Sequence, residues 1–390
     1  MPKSFTALKA SENNRTASLY IHIPFCNSKC SYCDFFSVTD HSLMAQILDK
    51  TLEQTAGYID YFGIKSIPTV YIGGGTPTSL PLPLLEKLLL FLEHFPPEEG
   101  AEYTIEANPE TVTPGLLDLL SGSRINRLSL GIQSFSNSTL KTLGRHCDFK
   151  TNFSKLELIK RFWKGRLSLD LISSVPGQSV SDSISDIDTA ISFNPDHISL
   201  YALTLEDGTP LALSYDPDSQ GIDDNVWILA ADHLEISGYR RYEVSNFALP
   251  GCQSKHNTRY WKLLPYIGTG AGGVSTLHTG MGSLLRIANV PDLERYLSSD
   301  GLLCGAETEE ITGKSYIFEY LMMGFRMTEG IAKSDFRSTF GREIADVIPE
   351  TLSSWKARSL ASETDEAVKL TKEGLLLLNQ FLLDALSELE

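Results

Sequence analysis

The sequence predicts an α/β protein: a partial (β/α)6 barrel followed by a C-terminal helical, winged-helix-like domain. Three observations carry that reading. Over the first 210 residues, β-branched and aromatic runs alternate with longer amphipathic stretches, the rhythm of repeated βα units on a parallel sheet. The unusual residues, cysteines, glycines and carboxylates, gather at the ends of those runs, where such folds place their chemistry. From about residue 312 the chain turns helical, through "SYIFEYLMMGFRM" to "LLLLNQFLLDALSEL".

Taken in order, the strand candidates are "SLYIHIPF", "TVYIGGG", "YTIEAN", "INRLSLGIQ", "RLSLDLIS" and "HISLYALTL". Amphipathic segments such as "LMAQILDKTLEQTAGYIDYF" and "LLEKLLLFLEHF" separate them. This organisation divides the chain into a tail at 1–18, a βα core at 19–210, an extension at 211–310 and a helical domain at 311–390. The extension opens with a helix, "VWILAADHLEISG", and carries "HNTRYW" and the Gly-rich "PYIGTGAGGVSTL".

Charge and hydropathy narrow the function. The 390 residues are 42% hydrophobic and 21% charged, as for a globular protein with a sizeable core. A net charge of −16 argues against a nucleic-acid surface. The winged-helix-like segment does not change that, since residues 301–390 hold nine Lys and Arg against sixteen Asp and Glu. The N-terminal "MPKSFTALKASENNRTAS" lacks the apolar stretch of a signal peptide. No run approaches the roughly 20 apolar residues of a membrane span. The cytoplasm is the expected compartment, and a cysteine cluster there points to metal rather than disulfides.

That cluster is Cys26, Cys30 and Cys33, a C-x3-C-x2-C spacing after the first strand. A zinc site usually takes four protein ligands in paired knuckles. A [4Fe–4S] cubane takes one thiolate per iron, so three cysteines leave one iron open to a small molecule. Zinc with a distant fourth ligand, or three unrelated thiols, remain alternatives on spacing alone. Gly73-Gly74-Gly75-Thr76-Pro77 ends the second strand, where glycines admit a ligand close to the backbone. Glu106, Gln133, Asp170 and Ala202 fall at or near the ends of later strands. On residue types alone, Arg145 with Asp170 could equally be a buried ion pair.

Together, "YIHIPFC", "CDF", "GGGTPT", "IEANPE", "LSLGIQSF", "LGR", "LDLI", "VPGQ" and "HNTRYW" resemble the radical SAM superfamily, and within it the HemN/HemW group. That group holds oxygen-independent coproporphyrinogen III dehydrogenases and heme chaperones. The resemblance implies that Cys26, Cys30 and Cys33 ligate a [4Fe–4S] cluster. It implies that Tyr20, Gly74, Glu106 and Ala202 line S-adenosylmethionine. Tyr32, Gly75, Thr76, Gln133, Arg145 and Asp170 match positions that hold a second S-adenosylmethionine in the dehydrogenases. It also implies heme as cargo, with His256 as a candidate ligand beside Tyr260 and Trp261. The implied partners are recipient hemoproteins and an electron donor; a homodimer and transient contact with membrane proteins are compatible with it.

Carrier and enzyme divide on two features of this group. The dehydrogenases carry a further Cys two positions after the third ligand, where this chain has Phe35, and an N-terminal extension before the cluster strand, where it has about 18 residues. Both point to the heme chaperone. The alternatives are radical oxidative decarboxylation of coproporphyrinogen propionates, and a non-enzymatic zinc-binding interaction protein. The chain departs from the group's pattern at "SSVPGQ", where "YGLPGQ" is usual, and at Val274, where a His is usual.

Overall fold

The computed structural model describes residues 14–95, 98–216, 221–280 and 282–389. Most of the expected 1–18 tail lies outside the described residues. Six parallel strands form the centre of the molecule: β1 (Ser18–Ile23), β2 (Thr69–Gly74), β3 (Glu102–Ala107), β4 (Arg127–Gln133), β5 (Arg166–Ser173) and β6 (His197–Ala202). Each overlaps a run the sequence marks as a strand, β3 beginning one residue earlier at Glu102. Helices Met44–Tyr61, Leu82–Leu92, Pro114–Ser121, Phe149–Phe162 and Val180–Ser192 return the chain between them.

Local sequence explains these elements. Leu19, Ile21 and Ile23 are buried on one face of β1 and Ser18 and His22 on the other, as expected for a strand covered on both faces. Thr113 accepts from the Leu116 N–H and Pro114 opens the helix behind it. Ser179 and Asp182 form a reciprocal cap on the helix that follows β5.

The sheet extends beyond what the βα rhythm shows. β7 (Arg240–Arg241) and β8 (Asn246–Ala248) add antiparallel to one edge. At the other edge lie β9 (Tyr266–Thr269), β10 (Val274–Gly280), β11 (Ser283–Ala288) and β12 (Glu307–Thr312). Among the described residues the sheet order is β12-β11-β10-β9-β1-β2-β3-β4-β5-β6-β8-β7. The Gly-rich 265–277 stretch is therefore not a loop but the place where β9 joins β1 in parallel and the chain reverses into β10. Gly268 is required there, because a Cβ would sit 2.0 Å from the Val274 carbonyl oxygen.

Past β12, helices Gly313–Gly324, Lys333–Phe340, Pro349–Ala357 and Leu378–Leu389 surround a small antiparallel sheet of β13 (Ile331–Ala332), β14 (Ala361–Glu363) and β15 (Ala367–Leu370). Phe325, Phe336, Trp355 and Phe381 give this part an apolar core of its own. The Trp355 indole N–H donates to Asp384 at 2.8 Å. No helix among the described residues is long and apolar enough to cross a membrane.

Candidate functional site

The three cysteines sit on the loop that leaves β1. Its two ends are tied: the Cys26 N–H donates to the Val38 carbonyl at 2.9 Å, and the Val38 N–H to that of Pro24 at 2.8 Å. Cys26, Cys30 and Cys33 are all free and half-buried. Burial pushes the Cys26 and Cys33 thiols up from their ordinary range.

The Gly-rich end of β2 presses on this loop. The Gly75 and Thr76 N–H groups donate to the Ile23 and Phe25 carbonyls at 2.9 and 2.7 Å. A Cβ at Gly75 would meet the Phe25 backbone at 2.7 Å. Gly74 takes φ +111, and a Cβ there would meet the His22 ring at 2.7 Å. His22 itself is buried, with its ring nitrogens 3.0 Å from the Tyr20 hydroxyl and 3.0 Å from the Phe36 carbonyl. It thus braces the cysteine loop from below.

Cys26, Cys30, Tyr32, Cys33, Gly74, Gly75, Thr76, Glu106, Gln133, Arg145, Asp170 and Ala202 all line one cavity of about 410 Å³. Strands β1 to β6 bring them together, because their C-terminal ends meet at a single edge. Glu106 accepts from the Tyr71 hydroxyl at 2.7 Å and from the Gly74 N–H at 3.2 Å. Burial pushes its carboxyl up to about 7, and the Asp170 charge adds to the rise. Asp170 accepts from the Ser129 hydroxyl at 3.1 Å and is also raised, chiefly by burial. The carboxyls offer acceptors to an amine or hydroxyl of a ligand, and the bare glycine backbone admits it closely. The cavity also includes Tyr201, beside Ala202 on the sixth strand, and Asn108 and Ser129, which sequence reasoning missed; the signal for Asn108 was its place directly after β3.

Two expected ligand residues lie elsewhere. Tyr20 faces a second pocket of about 340 Å³, together with Phe35, Tyr260, Trp261, Val274 and Met323. His256 faces neither cavity. It is fully buried, with its ring nitrogens 2.8 Å from the Thr69 hydroxyl and 2.8 Å from the Tyr260 hydroxyl. Its N–H donates to Glu102, and burial holds its imidazole down at about 3. As folded, His256 has no free nitrogen for a heme iron, which corrects the expectation that it is a heme ligand. Trp261 of the same helix, Lys255–Trp261, does line the aromatic pocket, and its buried indole N–H has no protein partner. Phe35 is 66% exposed and lines both pockets.

Comparison with known proteins follows the same geometry. Residues 20–190 match the radical SAM superfamily, and residues 311–377 match the HemN C-terminal domain. The heme chaperone HemW of Bacillus subtilis (strain 168) is 32% identical over 93% of this chain and 97% of its own length. That of Escherichia coli (strain K12) is 33% identical over 94% of this chain and 97% of its own length. Among solved structures, the coproporphyrinogen III oxidase HemN of Escherichia coli, described as a radical SAM enzyme, superposes with a TM-score of 0.81 at 20% identity, covering 98% of this chain and 92% of that one. The last likeness speaks for the fold alone.

Proposed function

The chain belongs to the HemW heme chaperone family of the radical SAM superfamily, and from that premise we propose that it binds heme and delivers it to recipient hemoproteins in the cytoplasm. Radical SAM membership brings with it a [4Fe–4S] cluster and S-adenosylmethionine. We assign the cluster to Cys26, Cys30 and Cys33. The residues present fit: three thiols from one tied loop share a cavity with bare glycine backbone and four carboxyls, those of Glu106 and Asp170 among them. When bound, the cluster supplies an electron that can open the sulfonium of S-adenosylmethionine. The chain's own part is to hold that ligand, with Glu106 accepting from its amine or ribose. Gly74, Ala202, Gly75, Thr76, Gln133, Asp170 and Tyr32 form the remaining wall. The 19–210 core, the 211–310 extension and the 311–390 domain stand as a proposed division, supported by the separate apolar core of the last. An electron donor and recipient hemoproteins are the partners this reading requires.

Glu106 gives the cofactor assignment a pH signature. Its folded carboxyl titrates near 7 instead of the ordinary 4.5. A carboxyl raised in the folded state favours folding most below its unfolded value, and that contribution is lost as pH rises through about 7. A cationic amine selects the ionised form, so affinity for S-adenosylmethionine should rise from pH 6 to 8 and the ligand should displace a proton. Anaerobic calorimetry in two buffers of different ionisation heat measures this. Glu106→Gln should flatten the profile and weaken binding roughly 10- to 150-fold, the loss of a charge-assisted hydrogen bond. An unchanged profile in the variant would make Glu106 a structural residue.

The observation that carries the heme reading is the aromatic pocket between β1, the Lys255–Trp261 helix and Met323. Aromatic walls suit a flat, apolar cargo. Val274 stands on that wall where a His is usual, so the pocket offers packing in place of an imidazole. Hemin titration should give one Soret-active site per chain, weakened about 10-fold or more in Trp261→Ala. The same protein with reductant and S-adenosylmethionine should leave coproporphyrinogen III unconverted. Multiple-turnover decarboxylation would replace the chaperone reading with the dehydrogenase one.

A further inference from the structure

Arg145 is held in the cavity by a fork of three acceptors. One terminal nitrogen donates to the Asn108 side-chain oxygen at 2.9 Å and to the Gly131 carbonyl at 2.8 Å. The other donates to the Cys30 sulfur at 3.3 Å. The β4–β5 register shifts between Gly131 and Gln133, where Gln133 takes φ +67, so the ladder is irregular at the point where the Gly131 carbonyl meets Arg145. A Cβ at Gly131 would meet both the Gln133 amide and the Asn108 oxygen, at 2.8 and 2.9 Å. Four features thus fix one guanidinium: a bulge, a left-handed Gln, a bare Gly and an Asn after β3. The result is a planar cation whose remaining nitrogen points at one cysteine of the loop.

We propose that Arg145 raises the reduction potential of the cluster by donating an N–H···S hydrogen bond to Cys30. This rests on the reading that Cys26, Cys30 and Cys33 hold the cluster. Reduction adds one electron to the cluster, supplied by an external one-electron carrier, and no proton need move. The reduced state carries one more negative charge on its irons and sulfurs, so a fixed cation bonded to a ligand sulfur favours it. Arginine suits the task because its fork can be pinned on one nitrogen while the other faces the sulfur. Burial gives that charge more weight than it would have in water.

The test is an EPR-monitored redox titration of anaerobically reconstituted protein without S-adenosylmethionine, on the wild type, Arg145→Met and Arg145→Lys. The expected order of midpoint potentials is wild type highest, Lys intermediate, Met lowest. Lys keeps the charge but cannot span the three acceptors. Iron and sulfide content and melting temperature, measured on the same samples, separate a changed potential from a damaged fold. If Arg145→Met fails to load, the Lys variant alone decides, since its midpoint must still fall. A loaded variant with the wild-type midpoint overturns the proposal and returns Arg145 to a ligand contact. Absence of a cluster in the wild type itself would overturn the cofactor assignment, and this proposal with it.

Discussion

Replacing Cys26, Cys30 or Cys33 with Ala is expected to abolish the visible absorption of the reconstituted protein, from about four irons per chain to almost none. A cubane bound by three thiolates loses a third of its protein ligation with any one of them, beyond the position already open. No fourth cysteine lies on the wall of that cavity to substitute. Cys147 is buried and donates to a Glu110 carboxyl oxygen at 3.0 Å, and its thiol is pushed up to about 12, so it is a poor ligand. Cys304 is buried and bonded to the Gly301 carbonyl. Alanine at either should leave iron and sulfide unchanged. Iron, sulfide and zinc analysis of the purified variants checks the set. A full cluster in Cys30→Ala, or stoichiometric zinc without sulfide in the wild type, would refute the assignment.

His256→Ala should cost folding stability rather than heme. The imidazole fills fully buried space and satisfies the buried Thr69 hydroxyl and the Tyr260 hydroxyl. Removing it leaves a cavity and unpaired groups, a loss of about 2–5 kcal/mol. Its depressed value near 3 adds a pH dependence. The unfolded imidazole takes up a proton below about 6.5 and the folded one does not, so the wild type should lose stability as pH falls from 6.5 toward 3. That slope should shrink in the variant. Thermal melts across this range measure both effects, and hemin titration of the folded variant should retain its Soret band. Loss of that band without a change in melting would place heme iron on His256 after all.

Most of this arrangement was legible in the sequence. Runs of buried aliphatic residues marked β1 to β6 because parallel strands covered on both faces tolerate little else. The shared edge followed from chain direction, and with it Cys26, Glu106 and Asp170 in one cavity. β9 was not legible, since four residues, one of them a glycine, carry no hydrophobic alternation. The surroundings of Tyr20 and His256 were not legible for a common reason. A motif names residues, while the period of its element decides which way they point. Tyr20 shares a strand face with His22, two positions on. His256 and Tyr260 stand one helical turn apart and bond to each other, so His256 is turned inward while Tyr260 and Trp261 line the pocket. The Arg145 fork was hidden because a register shift and a left-handed Gln exist only in three dimensions.

The backbone ties at Cys26 and Val38 carry one more consequence, in the order of events during biogenesis. Closing a loop around a metal ordinarily costs chain entropy that the metal must recover, and domains that depend on it stay unfolded until loaded. Here the loop is closed by its own peptide groups, and the strand beneath it is packed through Leu19, Ile21 and Ile23 without any thiol taking part. The polypeptide can therefore leave the ribosome, fold and wait. On the cluster assignment proposed above, iron and sulfide would enter a vessel already finished, and their loss would leave a shell able to be refilled.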